Sequence, residues 1–367
     1  MLKKILLLGP LFIVLLLLLM KFRDEKAAVA TPVFDTPIYQ EAVPELPELD
    51  WNTVRAFNLP LNNPPCVPAA EADFLTSTDT VLGVILGEEA RAYPWDLLKN
   101  FHAVNDYLDG QPIIVNMCEA CNGGAAFLAT LPETVIDLRP RGLKNGTWYG
   151  VDFQTGSLWF PFTGEAFEGP LKGTKLERIR VYFSSWEDWK RDHPDSTVAL
   201  SSEEVRMRPH GRESHMADPT TFNPAYLKKI TSAKKNPRRL LLPGHSLVFG
   251  LIPDGAGRPQ AFPIDSLAKS GAFVQTKIGD IPILLLSQNR HQIGAYQRRL
   301  GGHELRFVMK SRKPLIVLDH RGNRWNMWGR TIDGPDHPSE LPLADGYIAK
   351  WYEWIENFPE SDVIEIK

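Results

Sequence analysis

Two closely spaced cysteines, in Cys118-Glu119-Ala120-Cys121, are the residues of this chain best equipped for chemistry. At that spacing the intervening turn brings both sulfurs to one side, so two thiolates can share one metal ion. They can equally close a small disulfide, or cycle between the two states as a redox pair. His102 and the Asn105-Asp106 pair lie shortly before the apolar run Pro112 to Met117 that leads into the first cysteine. His102 could complete a Cys2His set, with Asn105 and Asp106 as outer-shell support and the Asp106 carboxylate orienting the imidazole. Soft thiolates with an imidazole suit copper or zinc and disfavour magnesium or calcium. A fourth position remains, for Cys66 in a closed structural site or for water or substrate in an open one. The plainer readings stand beside these: Cys66 as a small buried hydrophobe, His102 as a helix cap, His210 and His215 as members of a solvated loop.

Other chemistries are excluded or weakened. Asn122 stands where covalent c-type haem attachment needs a histidine. Gly123-Gly124 makes a poor helix start, which argues against the thioredoxin arrangement of a thiol at a helix N-terminus. No glycine-rich phosphate loop, nucleophile elbow or His-Glu-x-x-His motif occurs, so no nucleotide cofactor, hydrolase or phosphotransferase is expected. Net charge is only −3 and no long basic block is present, so nucleic acid is not expected as a partner.

The elements that must position these residues come in two copies. Tyr93-Pro94-x-Asp96-x-Leu98 returns as Phe262-Pro263-x-Asp265-x-Leu267, and Gly156-x-x-Trp159 as Gly322-x-x-Trp325. Trp186-x-x-Trp189 with Pro194 returns as Trp351-x-x-Trp354 with Pro359. The near-constant offset marks one ancestral unit duplicated. Yet His102, Cys118 and Cys121 face Gly271, Gln288 and His291 in the second copy. Scaffold residues recur in both copies, while the chemically able ones occur in one. The recurring tryptophans are accordingly read as core.

Thr80 to Leu86 and Pro112 to Met117 are β-branched runs typical of buried strands, and Trp148 to Phe153 and Leu158 to Phe162 read as further strands. Ala125 to Thr130 fits a strand returning from the cysteines. Ser184 to Asp192 reads as a helix capped by Ser184 or Ser185 and ended at His193-Pro194. The expected fold class is therefore α+β: two homologous β-rich repeats, each a set of antiparallel strands closed by a Trp-bearing helix.

The chain divides into residues 1–26, a signal-anchor or signal peptide; 27–62, a proline-rich tether; 63–202, the first repeat with the Cys/Cys/His site; 203–240, a basic polar bridge with a short helix near Ala225 to Ile230; and 241–367, the degenerate second repeat. Lys3 and Lys4 precede an apolar run from Ile5 to Met20, and no cysteine follows it for lipoprotein anchoring. The expectation is single-pass attachment to the cell membrane with an extracytoplasmic, periplasmic body; protein partners stay unknown.

Taken together, Val81-Leu82-Gly83-Val84, Ala90-Arg91-Ala92-Tyr93-Pro94, His102-x-Val104-Asn105-Asp106, Cys118-x-x-Cys121, Thr155-Gly156-Ser157-Leu158-Trp159 and Gly169-Pro170-Leu171 resemble the domain-of-unknown-function family 3179. The resemblance covers residues 63 to 367. It implies a mostly prokaryotic protein, often exported or membrane-anchored, without an established activity, and it groups His102, Asn105, Asp106, Cys118 and Cys121. Three functions follow as expectations: a copper or zinc protein using His102, Cys118 and Cys121; a thiol–disulfide redox protein using Cys118 and Cys121; or a non-enzymatic scaffold whose cysteines staple a loop.

Overall fold

A computed structural model describes residues 60–200, 236–269 and 273–366, all within one compact unit spanning Glu41–Lys367. The leader, nearly all of the tether, most of the basic bridge with its expected helix, His210, His215 and Gly271 lie outside the described residues. Among the described residues no helix is long and apolar enough to cross a membrane.

The architecture is β rather than α+β, which corrects the fold class expected above. Among the described residues strands hold 49% and helices 13% of the structure, with four α-helices. The two helices expected to close the repeats, Trp186–Asp192 and Trp351–Asn357, have seven residues each. At about 1.5 Å per residue each is only some 10 Å long, a plug between sheets and not a layer. Ser185 caps the first of them as expected, but both helices are too small to define a layer.

Element order repeats along the chain. In the first repeat Thr80–Leu86 and Glu89–Pro94 form a hairpin that runs into the helix Trp95–Phe101. A three-stranded meander follows, Ala103–Leu108, Gln111–Cys118 and Gly123–Leu128. Next comes a four-stranded meander from Leu138 to Glu168, then Arg178–Ser185 and the helix Trp186–Asp192. In the second repeat the hairpin is Leu247–Leu251 with Gln260–Pro263, followed by the helix Ile264–Lys269. The meanders are Phe273–Ile278 through Ile293–Gln297 and Phe307–Arg312 through Thr331–Asp333. The strand Gly346–Lys350 and the helix Trp351–Asn357 complete the series. Registers match as well: Val81 pairs with Pro94 as Val248 pairs with Pro263.

Side-chain devices recur with the backbone. Trp159 Nε1 donates to Asp152 Oδ2 at 2.7 Å, and Trp325 Nε1 to Asp319 Oδ2 at 2.9 Å. Trp189 Nε1 donates to Ser196 Oγ, and Trp354 Nε1 to Ser361 Oγ. Each indole lies on a strand glycine: a Cβ at Gly83 would sit 1.8 Å from Trp189 Cζ3, and one at Gly250 would sit 2.0 Å from Trp354 Cζ3. Glycine is fixed there by the ring above it, in both copies.

The repeats do not build separate cores. One apolar cluster joins the first repeat's meanders (Cys118, Cys121, Phe127, Trp148, Trp159 and Phe162) to Val248, Tyr347, Trp351 and Trp354 of the second. Another joins the first repeat's Val81, Tyr182, Trp186 and Trp189 to Leu284, Tyr296, Trp325 and Trp328 of the second. Each copy's meanders therefore pack on the other copy's hairpin and helix. The Tyr182 and Tyr296 hydroxyls meet at 2.7 Å across this seam.

Candidate functional site

Cys118 closes the strand Gln111–Cys118 and pairs in register with Gly123, so the cysteines sit on a hairpin turn, not at a helix start. The turn needs one residue in the left-handed region, and Asn122 supplies it with φ 60°, a conformation asparagine tolerates better than most side chains. Its N–H donates to Glu119 O at 3.2 Å. Cys118 and Cys121 are joined as a disulfide with Cα atoms 5.4 Å apart, within the usual span. Cys118 is 5% exposed and Cys121 fully buried. Thr147 Oγ1 lies 3.3 Å and the Gly146 carbonyl oxygen 3.6 Å from Cys121 Sγ.

His102 ends the helix Trp95–Phe101. Its N–H donates to Leu98 O at 2.7 Å, and its backbone, at φ 63°, leaves the helical conformation. Its carbonyl accepts from Met117 N–H beside the cysteines, and its ring meets Trp148 edge-on with centroids 6.2 Å apart. Burial alone pushes its pKa down to about 4, so the imidazole is neutral at physiological pH.

The expected supporting residues are committed elsewhere. Asn105 Nδ2 donates to Asn62 Oδ1 and Leu138 O, and its Oδ1 accepts from Leu138 N–H. It stitches the short strand Leu61–Asn62 and the second meander to the first. Asp106 accepts from Arg91 Nη1 at 2.6 Å, from Tyr93 Oη at 2.7 Å and from the Tyr107 N–H. Cys66 lies on this Arg91–Asp106 side, packed against a different apolar cluster from the disulfide. Burial pushes its thiol up to about 11, the Arg91 charge opposing and the Asp106 charge adding to the shift. It does not stand beside the Cys118–Cys121 pair.

A metal centre of His102, Cys118 and Cys121 does not fit this form of the protein. Two of its three donors are consumed in the disulfide. Among the described residues no group of three His, Cys, Asp or Glu side chains is gathered as a metal ion requires.

Two sets of residues escaped the sequence reading. Arg91 and Tyr93 face Gln260 and Phe262 in the second copy, and Asp106 faces Thr276, so the buried Arg91–Asp106–Tyr93 group also occurs in one copy only. The same repeat comparison that singled out the cysteines contains that signal. The second set comes from the other repeat. Lys350 N–H donates to Cys121 O at 2.9 Å, and Tyr352 Oη to Ala120 O at 3.0 Å. Asn357 Nδ2 reaches Asn145 O at 3.3 Å and Glu353 Oε1 at 2.8 Å, and Glu353 also accepts from Tyr347 Oη. Glu353 is fully buried, which pushes its pKa up to about 8 against the pull of the Tyr347 and Asn357 hydrogen bonds. Glu353 carries a local signal, an acid set among Trp351, Tyr352, Trp354 and Ile355, all buried; Lys350 and Asn357 take their meaning from packing across the seam.

No curated protein and no solved structure matches this chain. A family model does: it spans residues 58–364, most of the chain, from the strand Leu61–Asn62 through both repeats. The protein belongs to the family described as protein of unknown function (DUF3179).

Proposed function

We propose that the protein is a thiol–disulfide exchange protein whose redox pair is Cys118–Cys121. The observation that carries this reading is the disulfide between Cys118 and Cys121 on a hairpin turn, with Cys118 the less completely buried residue. In the exchange, an incoming thiolate attacks Cys118 Sγ, the Cys118–Cys121 bond breaks, and the electron pair leaves on Cys121 Sγ. A second thiolate then attacks the mixed disulfide at the substrate sulfur and releases the Cys118 thiolate. The substrate dithiol is thereby oxidised to a disulfide and the protein pair reduced. The apolar run from Ile5 to Met20 with its flanking lysines supports export and attachment to a membrane. An extracytoplasmic compartment keeps such pairs oxidised. The competing reading, in which the bridge only staples the turn, makes the opposite prediction about reactivity.

The experiment is thiol trapping on the folded protein. Treatment with dithiothreitol followed by an alkylating agent should label Cys118 and Cys121 while the tryptophan fluorescence of the fold persists. Oxidised glutathione should restore the bridge, and C121S should hold glutathione on Cys118 as a mixed disulfide. A bridge that opens only when the protein unfolds would leave the staple and end this proposal.

A further inference from the structure

We infer that inverted charges at three matching positions let the seam between the repeats accept only an unlike repeat, so that neither half can pair with a second copy of itself. The positions lie on one loop and the start of the strand after it, and the backbone fixes the match. Glu165 bridges Lys175 in the first repeat as Arg330 bridges Glu340 in the second. Leu176 N–H donates to Gly164 O as Leu341 N–H donates to Gly329 O. Arg180 and Asp345 stand at the third position, each six residues before the matching tryptophans Trp186 and Trp351. The first repeat thus reads acid, base, base where the second reads base, acid, acid.

The second and third positions meet across the seam. Arg180 of the first repeat forms an ion pair with Glu340 of the second and donates to Leu341 O at 2.7 Å. Asp345 of the second repeat accepts from Lys175 Nζ at 2.5 Å and from Arg178 Nε at 2.6 Å, both of the first. Arg330 supports Glu340 from within its own repeat at 3.1 Å. Burial draws the Asp345 carboxyl up, but the Arg178 and Lys175 charges outweigh it and hold it below the ordinary carboxylate range. Arg178, Arg180 and Asp345 are mostly buried, while Lys175 and Glu340 reach solvent. Glu88 and Glu177 line the groove outside the Arg180 pair and are exposed.

When two identical units pair symmetrically, residue i meets j and j meets i. Attraction then requires opposite signs at the two positions of one unit. Here each unit carries a single sign at both: Lys175 and Arg180 in the first, Glu340 and Asp345 in the second. Two first repeats would twice bring Arg180 against Lys175, and two second repeats would twice bring Asp345 against Glu340. Partly exposed ion pairs add little to stability. Like charges forced together on a closing face cost more, and they reject the wrong partner. The apolar part of the seam discriminates poorly, since Tyr182, Trp186 and Trp189 match Tyr347, Trp351 and Trp354. Selection therefore falls to the charges.

The test uses the full chain. D345R sets an arginine against Lys175 and Arg178, the contact two first repeats would make. R180D sets an aspartate against Glu340, the contact two second repeats would make. Each should lower the folding equilibrium constant about tenfold or more below that of its uncharged control, D345M or R180N, and high salt should narrow the gap. R180D/R330E/E340K keeps an ion pair at each of these places while giving both repeats the same, self-complementary charges. Refolded from urea at high concentration, it should yield dimers that wild type refolded alongside lacks, as read by light scattering. If D345R or R180D matches its control, or if the folded triple variant yields no more dimer than wild type, the inference is overturned. Should the triple variant not fold, the single substitutions decide alone.

Discussion

Tyr352 Oη donates to the Ala120 carbonyl at 3.0 Å, so the last helix of the second repeat holds the middle of the first repeat's cysteine turn. The chemically silent copy is therefore part of the candidate site. Y352F removes that donor while keeping the ring over Gly146. It should cost about 1 kcal/mol of stability and raise the rate at which dithiothreitol opens the bridge. Urea unfolding and timed alkylation measure the two effects, and an unchanged opening rate would detach the helix from the turn's behaviour.

The Arg91–Asp106 pair is predicted to matter for folding. Both side chains are mostly buried, and the carboxylate is also held by Tyr93 and a backbone N–H. Removing one partner strands the other in the interior. D106A should destabilise the protein by about 3–5 kcal/mol, and Y93F, which removes one hydrogen bond and leaves the ion pair intact, by about 1 kcal/mol. Chemical denaturation reads both. A D106A loss no larger than that of Y93F would show the pair to be dispensable.

The strand glycines under the indoles offer a matched test of the two copies. G83A and G250A each drive a methyl into Trp189 or Trp354. Both should lose stability by about 1–3 kcal/mol or more, and by similar amounts, because the surrounding geometry is the same. Thermal unfolding of the two variants checks the symmetry directly.

Acid should weaken the fold through buried imidazoles. His102, His193 and His291 are each pushed down to about 4 by burial. Between about 4 and the ordinary value near 6.5, the unfolded chain binds protons that the folded one refuses. Stability therefore falls as pH drops through that window. Phe358 occupies the place of His193 in the second copy and stacks on Trp354 at 4.3 Å, as His193 does on Trp189 at 4.2 Å. H193F should keep the fold and flatten the acid limb by one proton. Glu353 acts in the opposite sense: its raised pKa makes its contribution largest at acid pH and lost as pH climbs toward 8. Denaturation midpoints from pH 4 to 8 separate the two slopes.

Much of the local structure was written locally. The run Thr80–Leu86 folds as the expected strand, and the segment after the cysteines returns as a strand from Gly123. Ser185 caps the Trp186 helix by accepting from Asp188 N–H. These depend on residue spacing within a few positions, which a sequence displays openly. His102 went the plainer of its two ways, to the helix end, because its place after Phe101 fixes its backbone before its ring can choose a partner. Asp106 was read toward His102 when its true partners, Arg91 and Tyr93, stand on the strand Glu89–Pro94. Glu353 did leave a sign, which went unread: it stands among Trp351, Tyr352, Trp354 and Ile355, and all five are buried together.

The exchange of faces between the repeats constrains what evolution can do with them. A copy that had merely decayed beside its twin could be deleted without harm. Here deletion would uncover Trp148, Trp159 and Phe162 on one side and lose the roof over the cysteines on the other. The second half is free to forget the chemistry but is bound to keep the shape. Expressed as separate chains, the halves should be insoluble alone and recover only when mixed.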